Sequence, residues 1–173
     1  MVYLPLIMNG NKALNNGDFE AGNDDSWTLF SSSDWEDEII FQGSTMYGVP
    51  AHSGEWLAWL GGLPDEITQI SQDVFIKPGE TYLHYWYWID SLDSCGFDFY
   101  NIRINHSITP IFTKNLCTTT HMTGWAEAVL NLPGYAGSTI NLMFEVTTDD
   151  DTIDPEYYDS SVFLDDIAFK ATP

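Results

Sequence analysis

The chain has 173 residues, of which 44% are hydrophobic and 15% aromatic, a composition that excludes a disordered polypeptide and predicts one domain spanning residues 1–173. Five Lys and Arg stand against 26 Asp and Glu, a formal net charge of −21, which excludes nucleic acid as a partner, because phosphate binding needs basic residues, and disfavours an anionic membrane surface. No apolar run approaches the roughly 20 residues of a membrane-spanning helix, so no membrane insertion is expected.

In chain order, apolar residues alternate in short runs bounded by Gly, Pro, Asn and Asp, the pattern of antiparallel strands. The runs are Val2 to Met8, Trp27 to Ser31, Ile39 to Gln42, Trp56 to Leu60, Ile67 to Ile76 and Tyr82 to Ile89. Phe97 to Asn105 and Ile108 to Leu116 flank a turn at His106-Ser107, followed by Trp125 to Leu132, Thr139 to Thr147 and Ser161 to Phe169. This predicts an all-β, two-sheet antiparallel β-sandwich. Residues 1–10 read as an extra N-terminal strand that pairs at home or exchanges with a neighbour.

The alternation also assigns faces. Ile140, Leu142, Phe144 and Val146 share one side of their strand, and Tyr100, Ile102 and Ile104 form a matching row. Tyr82 to Ile89 is heavy on both sides. Leu83, Tyr85, Tyr87 and Ile89 suit a core, so Tyr82, His84, Trp86 and Trp88 need their own cover from a loop, a ligand or a partner chain. Cys95 and Cys117, with 21 residues between them, are expected to form a disulfide across the hairpin, the alternative being two buried thiols. The opening Met1-Val2-Tyr3-Leu4-Pro5 lacks the basic and apolar regions of a signal peptide, and Asn105-His106-Ser107 fits a glycosylation sequon.

Three segments carry a family resemblance: Asn16-Gly17-Asp18-Phe19-Glu20 followed by Trp27, His52-Ser53-Gly54-Glu55-Trp56 followed by Leu60-Gly61-Gly62, and Val162-Phe163-Leu164-Asp165-Asp166-Ile167. Together they resemble calcium-containing jelly-roll carbohydrate-binding modules and MAM-like adhesion domains of bacterial cell-surface and secreted proteins. The resemblance covers roughly residues 14 to 170 and implies that the first and last strands are neighbours stapled by Ca²⁺. Asp18 and Glu20 match the opening ligands and Asp165 or Asp166 the closing one, with main-chain carbonyls near His52 to Glu55 completing the shell. The chemistry agrees, because Ca²⁺ takes 6–8 oxygens and close carboxylates repel without a cation. Alternation puts Asp165 on the face of Phe163, Ile167 and Phe169, toward the core. Two further acidic groups are Asp149-Asp150-Asp151 with Asp154, Glu156 and Asp159, and Asp90, Asp93 and Asp98 around Cys95.

His52, His84, His106 and His121 fall in no zinc motif, and there is no G-x-S-x-G or phosphate-binding glycine loop, so the chain is not expected to be an enzyme. The expectation is a secreted or cell-surface, calcium-stabilised module that binds a glycan or a cell-surface protein through Tyr82, Trp86 and Trp88, with Trp56 and Trp59 as further candidates. The alternative is a self-associating subunit of a surface filament or adhesive layer built by N-terminal strand exchange.

Overall fold

Among the described residues, period-2 apolar patterning gives ten strands: β1 (Thr28–Ser31), β2 (Ile40–Gln42), β3 (Trp56–Gly61), β4 (Ile67–Phe75), β5 (Tyr82–Asp90), β6 (Asp98–Ile104), β7 (Phe112–Leu116), β8 (Ala126–Asn131), β9 (Thr139–Thr147) and β10 (Ser161–Lys170). The structure, a computed structural model, describes residues 12–43, 48–149 and 160–173. The expected strand Val2 to Met8 and the acidic residues 150–159 lie outside the described residues.

The strands form two five-stranded antiparallel sheets, ordered β1-β4-β9-β6-β7 and β2-β3-β10-β5-β8. The fold is the expected all-β sandwich. Between the sheets lie the two rows read from the sequence: Ile140, Leu142, Phe144 and Val146 of β9 face Leu83, Tyr85 and Ile89 of β5, with Tyr100 and Ile102 beside them, all essentially inaccessible. Each such side chain contributes about 1.5–3 kcal/mol through its burial.

A second apolar cluster lies on the opposite face of the β2-β3-β10-β5-β8 sheet. Phe41, Val49, Leu57, Trp59 and Phe163 are buried there, with Ala51, Trp88 and Trp125 packed against them. The segment around Pro50 covers this face, and Trp125 Nε1 donates to the Pro50 carbonyl at 3.0 Å. The second row of β5 is thus partly covered by the chain's own loop.

Residues 16–20 form a series of turns, and β1 pairs with β4. Two sequence expectations change. The strand expected from Ile108 begins only at Phe112. Before it, Pro110 and the carbonyls of Ser107 and Ile108, both gripped by Arg103 Nη1, hold an irregular loop that leaves Ile108 93% exposed. Finally, β10 changes phase. Its pairing with β5 shifts between Asp165 and Ala168, and Asp166 sits at φ +48°. The bulge puts Val162, Leu164 and Ile167 in the main core, whereas Phe163 belongs to the second cluster. Asp165 therefore points away from the main core, on the face of Phe163 alone.

Candidate functional site

The ends of the recognisable chain meet where β10 bulges. Ile167, displaced by the bulge, donates its backbone N–H to the Gly17 carbonyl at 2.8 Å, and Trp27 Nε1 donates to the Asn16 carbonyl at 2.8 Å. Gly17 is required by the close approach, because a Cβ there would overlap the Ile167 carbonyl.

Around this seam the four expected calcium ligands are placed as follows. Asp165 is fully buried under residues 52–53. Its Oδ2 accepts the backbone N–H of His52 (2.8 Å) and Ser53 (3.1 Å), and its Oδ1 that of Asp166 (2.7 Å). Desolvation nevertheless dominates and pushes its pKa up to about 7, the Asp166 charge adding to the rise. Asp166 holds His52 Nδ1 at 2.6 Å and accepts from Ser53 Oγ at 2.9 Å. Glu20 Oε1 accepts the backbone N–H of Glu55 (2.7 Å) and Trp56 (2.8 Å). Gly54, at φ +62°, lies so close to the Glu20 carboxylate that any side chain would displace it. Asp18 is exposed, with Oδ1 3.4 Å from the backbone N of Glu20.

The seam thus gathers Glu20, Asp165 and Asp166 on one loop, where backbone amides satisfy Glu20 and Asp165, and the His52 ring and Ser53 hydroxyl hold Asp166. No three of the four bring carboxylate oxygens within 4.8 Å of one another, and the backbone of residues 52–56 supplies positive dipoles to Glu20 and Asp165.

Another acidic group meets the geometric requirement better. Among the described residues, Asp93, Asp98 and Asp149 each bring a carboxylate oxygen to within 4.8 Å of the others. Along the sequence these three residues fall in two separate acidic clusters. The β6–β9 register, with Phe99 opposite Thr147, brings Asp98 and Asp149 together. Asp90 belongs elsewhere, 3.3 Å from His121 Nδ1. Asp98 is buried, and its oxygens accept the backbone N–H of Asp149 (2.9 Å) and Ser160 (3.3 Å). Burial, reinforced by the charges of Asp93 and Asp149, pushes its pKa up to about 6. Three converging oxygen donors with a destabilised charge suit a hard cation. The Cys95–Cys117 disulfide closes the same end of the β6–β7 hairpin, where Asp98 pairs with Leu116.

The expected aromatic row does not form one platform. Trp88 packs edge-on to Trp125 in the second cluster and donates Nε1 to the Met122 carbonyl at 3.0 Å. Trp59 is buried in that cluster with Nε1 on Ser161 Oγ, and Trp56 packs against the main core. Tyr82 is half-buried at the other end of β5, opposite Asn131 and Lys170.

Trp86 is different. It is half-buried, and one face of its ring stacks on His52 at 3.7 Å between centroids, 14° from parallel. Asp166, by holding His52 Nδ1, fixes the imidazole that fixes the indole. Trp86 also lines a groove of about 610 Å³ between the ends of β4 and β10. Leu14, Phe75 and Phe169 supply apolar wall, and Asp18, Lys77, Glu80, Asp166 and Lys170 supply the polar rim. His52 itself does not line the groove. His52 stands in one of the three resemblance segments, but nothing in the sequence pairs its ring with Trp86, and the groove's lysines fall in no motif.

No protein-family model matches the chain, and no curated protein matches it. Solved structures do. The carbohydrate-binding module TmCBM61, in complex with β-1,4-galactotriose, superposes with a TM-score of 0.59 at 16% identity, over 93% of this chain and 99% of that one. The K2 cleaved adhesin domain of Lys-gingipain gives 0.57 at 16% identity, over 88% and 96%. The K3 adhesin domain from Porphyromonas gingivalis gives 0.55 at 14% identity, over 89% and 97%. The β-sandwich fold is shared with carbohydrate-binding modules and with adhesin domains. At these identities the likeness establishes the fold, and function rests on the site.

Proposed function

We propose that the chain is a non-catalytic, extracellular glycan-binding module that holds its ligand in the Trp86 groove and carries a calcium ion at Asp93, Asp98 and Asp149. The observation that carries this reading is the pre-set indole. Trp86 presents part of a flat ring to a groove with an apolar wall and a polar rim, and its orientation is locked by the His52 stack and the Asp166 hydrogen bond. Pyranose rings pack their C–H faces on such surfaces while rim groups take the hydroxyls, and locking the ring beforehand lowers the ordering cost of binding. The structural likeness to carbohydrate-binding modules supports the same reading.

The disulfide supports an oxidising, extracellular setting. Calcium would be held by Asp93, Asp98 and Asp149, where it would neutralise charge at the disulfide-closed end of the sandwich. A protein ligand on another cell is the second reading, favoured by the adhesin-domain likeness.

Titration calorimetry against a panel of neutral, acidic and amino-bearing oligosaccharides tests the proposal. Binding that disappears in Trp86→Ala, with an unchanged circular dichroism spectrum, is the expected result. Binding that survives Trp86→Ala would move the site elsewhere, and a blank panel would remove the glycan reading.

A further inference from the structure

The charge distribution of the groove selects among glycans. Two lysines line it, but each already has a carboxylate: Lys77 Nζ lies 3.1 Å from Glu80 Oε2, and Lys170 Nζ lies 3.7 Å from Glu127 Oε1. The groove's other carboxylates, Asp18 and Asp166, have no such partner among the described lysines and arginine. Asp18 is exposed and makes only the long contact to its own loop, and Asp166 is held by His52 and Ser53. Trp86 and an unbalanced acidic rim therefore share one groove, on a chain of net charge −21.

We infer that the ligand of the Trp86 groove is a cationic glycan, one whose pyranose rings carry free amino groups, as in β-1,4-linked glucosamine. The inference rests on the glycan reading above and narrows it to a substrate class. The two features act on two parts of such a sugar. The indole takes the C–H face of the ring, and a neighbouring ammonium gains from the ring's negative π face. Asp18 and Asp166 accept from the ammonium in charge-assisted hydrogen bonds, stronger than those a hydroxyl would make. The field of the whole molecule steers a cationic chain toward the protein and repels uronate or sulfate chains. An N-acetylated sugar keeps the ring face but loses the charge, which makes it the discriminating control.

The experiment is calorimetric titration of the intact chain, at low ionic strength, with four tetrasaccharides: β-1,4-glucosamine, its N-acetylated form, a neutral hexose oligomer and an oligouronate. The glucosamine tetramer is expected to bind at least about tenfold more tightly than the N-acetylated one, a difference that shrinks as salt shortens the screening length. Asp18→Asn is expected to weaken it by about fivefold without altering the melting temperature. Trp86→Ala should abolish it. Glucosamine binding that survives Trp86→Ala would be diffuse attraction to an acidic surface and would overturn the inference. Equal affinity for the acetylated or neutral tetramer, lost in Trp86→Ala, would overturn the charge assignment and leave the glycan reading standing. No binding to any of the four would overturn both.

Discussion

The backbone N–H of Ile167 donates to the carbonyl of Gly17 at 2.8 Å, and this bond joins the two ends of the recognisable domain. It exists because the β10 bulge turns Ile167 into the main core and frees its N–H from the ladder with β5. Gly17→Ala places a methyl group against the Ile167 carbonyl and the Leu14 side chain. Overpacking of this kind costs about 1–3 kcal/mol, so the variant should melt several degrees below wild type. An unchanged melting temperature would show that the seam yields freely.

Buried carboxyls set the pH response. Asp165 and Asp98 have folded pKa values raised to about 7 and about 6 by burial, against an ordinary value near 4, and Glu66 is raised for the same reason. A raised carboxyl pKa means that the folded state binds protons more tightly than the unfolded state. The contribution is complete below about pH 4 and is lost as pH rises through the folded pKa. Measured in chelator, stability is therefore expected to fall between about pH 4 and pH 7.5. Asp165→Asn should flatten the upper part of that slope. A stability that climbs steadily to pH 7.5 would contradict the assignment.

Calcium and the Asp93–Asp98–Asp149 group give a second separable test. Asp98→Asn is expected to abolish any calcium-induced rise in melting temperature, whereas Asp18→Asn should keep it, because Asp18 lies at the seam and not in the trio. At free calcium about 100 times the dissociation constant the stabilisation should be about 2.7 kcal/mol. Wild-type melting curves that superpose with and without chelator would remove the ion from this site.

The Cys95–Cys117 bridge closes the β6–β7 hairpin over a sequence separation of 22. In the chain-entropy account a loop of this size is worth about 3 kcal/mol. The double Cys95→Ser, Cys117→Ser variant should lose about that much in urea denaturation, and reduction of the wild type should reproduce it. A reduced protein as stable as the oxidised one would mean that the hairpin ends are held without the bridge.

The layers of the fold were legible because period-2 alternation is a local signal: the β9 and β6 rows, Leu83, Tyr85 and Ile89, and most strand boundaries follow from it directly. The site was legible only in part. A bulge of one or two residues in β10 changes which side chains share a face, and no residue type between Asp165 and Ala168 announces it. That bulge is what separates the buried Asp165 and Phe163 from Ile167 and Phe169, with which strict alternation groups them. The acidic trio was divided because its members sit on different elements, and strand register, not sequence proximity, unites them. Trp86 and Trp88 are two positions apart on β5 and were read alike. What separates them is the loop around Pro50, which packs on the Trp125 side of the sheet and leaves Trp86 to His52.

The covered outer face of the β2-β3-β10-β5-β8 sheet makes the molecule unequal in how it comes apart. Trp59, Trp88 and Trp125, three of the seven tryptophans, belong to the cluster beneath Val49 and Ala51, whereas the β5 and β9 rows hold the sheets together on the other side. Detaching the loop around Pro50 would wet three indoles while every strand ladder stays intact. Tryptophan emission and far-ultraviolet circular dichroism should therefore follow different events during denaturation, emission shifting first, and a single unfolding free energy taken from fluorescence would describe the loop rather than the sandwich.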